Sequence, residues 1–217
     1  MTCCMRILLT HHFPLDETAA GRLVTRLAQQ LPAAGHEVRV LVVDDSLARP
    51  APSFVRRLLC NPHEPQAELT FTLPRFANDE ASELTFEQLG NDQLECYRES
   101  LRQALDDEVA TFDPHVIHAQ HLWIFGYLAL EAGVPYVLTA YGPEIETANR
   151  DPRYRRYLTQ AGENAGRILK DASLTRPLRF GSGEPEPLIE PQPQQVESQI
   201  AIYRDVLHAR FGDSLRP

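Results

Sequence analysis

The sequence predicts an α/β fold, a doubly wound parallel sheet, and three observations carry that expectation. Short apolar runs recur along the chain: RILLT at 6–10, VRVLVVDD at 38–45, HVIHA at 115–119 and VPYVLTA at 134–140. Between them lie segments whose apolar residues return at helical spacing, and strands alternating with helices imply a parallel sheet. The third is bulk: 217 residues, 43% hydrophobic and 24% charged, are enough for one well-buried domain with a small appendage.

RILLT is apolar throughout and ends at polar residues, as a strand covered on both faces should. After the loop HHFPLDETAAG comes GRLVTRLAQQL, where Leu23, Val24, Leu27 and Leu31 form a helical stripe. Either Asp16 or Thr18 caps this helix, and Pro32 and Gly35 mark its end. VRVLVVDD then completes a βαβ unit with a right-handed crossover.

The proline-rich stretch 46–67 reads as surface loop, and ELTFTL (68–73), which alternates apolar with polar residues, reads as a third strand near an edge. A long helix follows, with Leu94, Tyr97, Leu101, Leu105 and Val109 on one face, broken at FDP (112–114). HVIHA is the fourth strand, LWIFGYLALEA a short apolar helix stopped by Gly133, VPYVLTA the fifth strand, and RIL (167–169) a sixth. Residues 174–194, LTRPLRFGSGEPEPLIEPQPQ, read as an extended linker. The last helix carries Val196, Ile200, Tyr203 and Leu207 on one stripe, with Gly212 as its stop. The expected organisation is a domain over 1–173, a linker over 174–194, and a terminal segment, 195–217, whose helix docks on the same domain.

Composition narrows the function. A net charge of −9, from 30 acidic and 21 basic residues, disfavours nucleic acid and anionic membrane, and no basic stripe compensates. The four cysteines, Cys3, Cys4, Cys60 and Cys96, form no CxxC pair, so a zinc half-site is not expected. The opening MTCCMRILLTHHF has an apolar run too short for a signal peptide or a membrane span, so the expected location is cytoplasmic, without an integral membrane segment.

Five of the eight histidines fall in two short stretches, His11–His12 and His115, His118 and His121. A metal site made from the second group is not expected, because strand geometry sends 115 and 118 to opposite faces. His115 reads as a solvent-facing residue at the strand's entry, and His118 either as a satisfied buried histidine or as a ligand contact. Bound cofactors are not expected either: THHFPLDETAAG lacks GxGxxG, and neither a P-loop nor a GxSxG elbow is present. The GSG at 181–183 reads as flexible spacer.

With strand order 3-2-1-4-5, strands one and four meet at the switch point, where open α/β sheets bind ligands. That gathers His11, His12, Asp16 and Thr18 after strand one, His121 after strand four, and Tyr141, Gly142 and Glu144 after strand five. Polar and aromatic groups of this mix suit a hydroxyl-rich ligand. The alternative is a polar rim with no ligand.

MRILLTHHFPLDETAAGRLVTRLAQQLPAAGHEVRVLVVD resembles the opening of family-4 glycosyltransferases of the GT-B fold, with a characteristic GHEV turn. FDPHVIHAQHLWIFGYLALEAGVPYVLTAYGPEIE and ENAGRIL resemble later parts of the same first domain, so the likeness covers about residues 5–170. In that family two Rossmann-like domains face each other, the first holding the acceptor and the second the nucleotide-sugar donor. The resemblance implies a hexose transferred with retention of configuration, a carbohydrate or other hydroxyl-bearing acceptor, and acceptor or sugar contacts at His121, Tyr141, Gly142, Glu144 and His118. It also implies a donor-facing loop of His11, His12, Asp16, Thr18 and Ala19; no catalytic residue is assigned. Thr18 and Ala19 stand where the family usually has a glycine pair, and Tyr141 where many members have histidine. The donor domain, with its paired glutamates, is not found, although the final helix resembles the end of a complete enzyme. The expected partners are therefore an acceptor and a separate donor domain or a second copy of the chain. Turnover by this chain alone is not expected, and the alternative function is a non-catalytic interaction module using the face once opposed to the donor domain.

Overall fold

The computed structural model describes residues 4–77, 83–172, 174, 178, 189–191 and 193–212. Among the described residues seven parallel strands form one sheet in the order β3-β2-β1-β4-β5-β6-β7. They are β1 Arg6–His11, β2 Glu37–Asp44, β3 Val55–Leu59, β4 Val116–Gln120, β5 Tyr136–Ala140, β6 Arg167–Lys170 and β7 Ile189–Pro191. The order reverses between β1 and β4, whose register pairs Thr10 with Ala119. The predicted switch point is therefore where the sequence put it.

The apolar strands divide their side chains between two cores by parity. Leu8, Leu41, Val43, Ile117, Ala119 and Leu138 face one layer, built from α2 (Asn91–Phe112), α3 (Phe125–Glu131) and α5 (Pro152–Asn164). Ile7, Leu9, Val40, Val42, Val116 and Val137 face the other, built from α1 (Ala19–Ala33) and α6 (Val196–Phe211). A short α4, Pro143–Arg150, follows β5. The terminal helix α6 packs on this chain's own sheet, burying Ile200, Ile202, Tyr203, Val206 and Leu207, while Val196 is only partly buried.

Thr18, not Asp16, caps α1: its Oγ1 accepts from Gly21 N at 2.9 Å. Gly21 has a separate reason to be glycine. A Cβ there would lie 2.4 Å from the Leu15 carbonyl oxygen, where the β1–α1 loop crosses its own helix.

Two strand expectations need correction. The third strand is VRRLL (55–59), inside the stretch read as loop, while ELTFTL contributes only an isolated bridge between Leu69 and Cys60. Arg56 and Arg57 hid this strand. Both lie partly covered, with Arg56 reaching Asp107 on α2 and Arg57 the carbonyls of Ser46 and Arg49. The expected linker also contains β7, which pairs with β6 from Ile168↔Ile189 onward. The GSG spacer at 181–183 lies outside the described residues. No helix among them is long and apolar enough to cross a membrane.

Candidate functional site

Parallel strands end together, so their C-terminal residues converge at one edge of the sheet. His11 ends β1, Gln120 and His121 end and follow β4, and Tyr141 follows β5. The His121 ring lies 5.7 Å from that of His11, 5.9 Å from His12 and 4.9 Å from Tyr141. The expected juxtaposition is present, but the groups are packed rather than open. His11 and His12 are fully buried, and His121 and Tyr141 are 4% and 8% exposed. Phe13 and Phe76 close over them, with Phe76 5.1 Å from the His121 ring.

Each predicted residue has a distinct surrounding. His11 Nε2 lies 3.0 Å from Thr18 Oγ1, tying β1 to the start of α1. Burial holds its pKa well below the usual value, and the neighbouring His121 and His12 rings and Arg75 act in the same direction. His12, the first residue after β1, turns its ring into the core. Its Nε2 accepts from Ile124 N at 3.0 Å and its Nδ1 lies 3.2 Å from Tyr97 Oη, which pins the entry of α3 and identifies a neutral imidazole. Burial lowers its pKa in keeping with that role. Asp16 stays exposed at the rim, 3.6 Å from Arg49, and Ala19 is exposed at the start of α1.

Of its two expected readings, His118 has the surroundings of a satisfied buried histidine. It points to the α6 side of the sheet, with Nδ1 2.8 Å from Tyr203 Oη and Nε2 2.7 Å from Thr139 Oγ1. Desolvation alone lowers its pKa to about 3. His115 is half-buried rather than solvent-facing, and its Nδ1 accepts from Arg6 N. The three histidines of HVIHAQH thus point to three separate places, and among the described residues no group of His, Cys, Asp or Glu is arranged to hold a metal ion.

Gly142 has φ +144, a conformation that needs glycine, and Pro143 starts α4 behind it. That turn lets Glu144 fold back onto its own helix start. Its two oxygens accept from Tyr141 N at 2.8 Å and Gly142 N at 3.1 Å. Glu144 is fully buried with both oxygens engaged, so this geometry does not offer it to a ligand hydroxyl. Tyr141 Oη donates to Gln120 Oε1 at 2.6 Å. Burial, with the charges of Asp171 and Glu144, pushes the Tyr141 pKa well up, so the phenol is a donor and not a base.

Sequence reasoning passed over Gln120, although it lies inside HVIHAQHLW beside His121. Buried polar atoms with no hydrogen-bond partner among the described residues gather at this edge: both His121 ring nitrogens, His11 Nδ1, Gln120 Nε2 and Thr10 Oγ1. Such groups are costly to bury unpaired, which marks the edge as suited to polar contacts that the described residues do not make. Phe76, on a long irregular stretch, carried no sequence signal. Beside it, Arg49 and Arg75 bind Asp16, Glu17, Asp44 and Asp45, clasping the β1–α1 loop to the β2 end.

A family model described as a glycosyl transferase 4-like domain matches residues 18–176. Among solved structures, one of sucrose-phosphate synthase from Thermosynechococcus elongatus aligns at 14% identity and TM-score 0.52, covering 95% of this chain and 99% of that one. A longer chain of the same synthase aligns at 16% identity and TM-score 0.47, covering 76% of this chain, which spans only 42% of its length. Arabidopsis thaliana UGT89C1, complexed with UDP-L-rhamnose, aligns at 14% identity and TM-score 0.42, with 79% and 46% covered. Among curated proteins no sequence matches.

Proposed function

The chain belongs to the glycosyl transferase 4-like domain family, and from that premise we propose that it is the acceptor-side domain of a hexose-transferring system. The family match over residues 18–176 carries this reading. The carboxyl edge supports it, because polar groups unpartnered among the described residues lie there against aromatic faces, a combination that suits sugar hydroxyls and ring C–H surfaces. In the proposed reaction a complete system moves the hexose from a nucleotide sugar to an acceptor hydroxyl with retention of configuration. This domain positions the acceptor, with His121 and Tyr141 nearest it, and a facing donor domain holds the nucleotide. The working organisation is one domain over 1–173 with the terminal helix returned to it, and no cofactor beyond the donor substrate is invoked.

Turnover by this chain alone is not part of the proposal. Transition-state stabilisation needs groups around the leaving diphosphate. The arginines nearest the β1–α1 loop, Arg49 and Arg75, are already engaged by carboxylates.

A second reading, a non-catalytic interaction module, is favoured by one observation: the site is closed under Phe13 and Phe76. The two separate in one assay. The chain is incubated with UDP-glucose or GDP-mannose and a panel of hydroxyl acceptors, alone and with a family donor domain. Transfer that requires both chains supports the first reading. No transfer in any combination, with a stable complex between the chains, supports the second.

A further inference from the structure

His121 is the one ring at the carboxyl edge with neither nitrogen hydrogen-bonded among the described residues, although it is 95% buried by side chain. Its backbone adopts φ +74, uncommon for a residue with a side chain, and this aims the ring inward from the end of β4. Beside it, Glu144 Oε2 lies 3.4 Å from His121 Nδ1, close enough for charge to act yet too long and misaligned for a formed hydrogen bond. Both Glu144 oxygens accept backbone N–H groups, so the side chain meets its surroundings as an acceptor. A nitrogen lone pair facing it would be repelled, and an N–H attracted.

We propose that Glu144 is a positioning residue that holds His121 with its proton on Nδ1, leaving the Nε2 lone pair to accept a hydrogen bond from a carbohydrate hydroxyl. The ligand class rests on the function proposed above; the positioning does not. The geometry explains why Glu144 is buried and saturated while His121 is buried and unsatisfied: the first acts through the second. It also assigns a role to the rings above. Nε2 has no accessible surface in this structure, and Phe76 and Phe13 pack against the ring, so a hydroxyl enters only when one of them moves aside. Polar stabilisation of the ligand then replaces an aromatic contact.

The test is long-range ¹H–¹⁵N NMR of the full chain with ¹⁵N-labelled histidine, which reads tautomers directly. His121 is assigned by comparison with H121N. The unmodified chain should show His121 as the Nδ1–H tautomer; finding the proton on Nε2 overturns the proposal without any variant. In E144Q, where the side chain can turn an amide N–H toward the ring, the tautomer population should move toward Nε2–H, and an unchanged ratio in a folded E144Q also overturns it. Methyl α-glucoside is then added to the unmodified chain and to F76A. A shift confined to His121 Nε2, at severalfold lower glucoside in F76A, supports the hydroxyl contact. The right tautomer with no response to the glucoside in either protein sinks the carbohydrate reading and leaves the positioning role standing.

Discussion

At the residue scale, burying a histidine without its proton makes stability depend on pH. His118 has its pKa lowered to about 3 by desolvation, against about 6.5 in an unfolded chain. Between those values the unfolded state binds a proton that the folded state refuses, so stability falls as pH falls. The loss is about 1.4 kcal/mol per pH unit, or about 2 kcal/mol from pH 7 to pH 5. His11 and His12 are shifted in the same direction by burial and add to the slope. Urea unfolding at pH 7, 6 and 5 measures it, and H118Q should remove one proton's worth of the dependence. A stability flat across that range contradicts the neutral core histidines. A glycine makes a second residue-scale case. In Gly21→Ala the new methyl meets the Leu15 carbonyl at 2.4 Å, and backbone cannot swing away as a side chain can. Overpacking of this kind costs about 1–3 kcal/mol, so the thermal midpoint should drop by several degrees. An unchanged midpoint would show that the loop over α1 shifts freely.

At the element scale, α6 is the helix whose removal should matter most. It packs against β5 and beside α1, burying Ile200, Ile202, Tyr203, Val206 and Leu207, and Tyr203 reaches through to His118 on β4. Full burial of such side chains is worth about 1.5–3 kcal/mol each, which is comparable in sum with the whole stability of an ordinary domain. A chain ending at residue 193 should lose cooperative melting and bind a hydrophobic dye. A subtler probe is Gly166→Ala, whose methyl would sit 2.6 Å from Val206 Cγ1 and push α6 off the sheet. It should lower the unfolding free energy by about 1–3 kcal/mol, read by urea titration, while a neutral result would place α6 more loosely than described. The helix was legible in the sequence because its stripe needs a partner, although Ile202 and Val206 widen the buried face beyond the predicted four positions. The central strands were legible for the same reason, since strands covered on both faces must be apolar throughout. β3 was not, because an edge strand half-covered by α2 tolerates Arg56 and Arg57, and prolines at its flanks imitate loop. Site legibility divides similarly. Topology put His11, His121 and Tyr141 at one edge, but periodicity says nothing about which side chain turns inward to satisfy backbone amides, as Glu144 does beside itself and His12 does at the entry of α3.

At the scale of the whole molecule, the question is what a chain with this sheet edge can bind alone. A nucleoside diphosphate needs backbone amides brought close and cationic groups left over. The first is limited because Thr18 already takes the Gly21 amide and a side chain stands at Thr18 and Ala19. The second is limited because Arg49 meets Asp16, Glu17, Asp44 and Asp45, and Arg75 meets Glu17 and Asp45. Burial lowers the Arg49 pKa, but the hydrogen bonds it donates to Asp45 and Asp44 outweigh this and hold it above its usual value, so its charge is firmly committed there. A diphosphate would have to displace carboxylates from guanidinium groups on a chain of net charge −9. The expected dissociation constant for UDP or GDP with the chain alone is therefore about 1 mM or weaker, equivalent to no more than about 4 kcal/mol of binding free energy. Calorimetry at low and physiological salt measures it. Screening weakens both the repulsion and the internal ion pairs, so raising salt should not reveal tight binding. A micromolar constant at either salt would mean that the clasp of Arg49 and Arg75 opens for phosphate, and that this domain contributes to donor binding as well as to the proposed acceptor site.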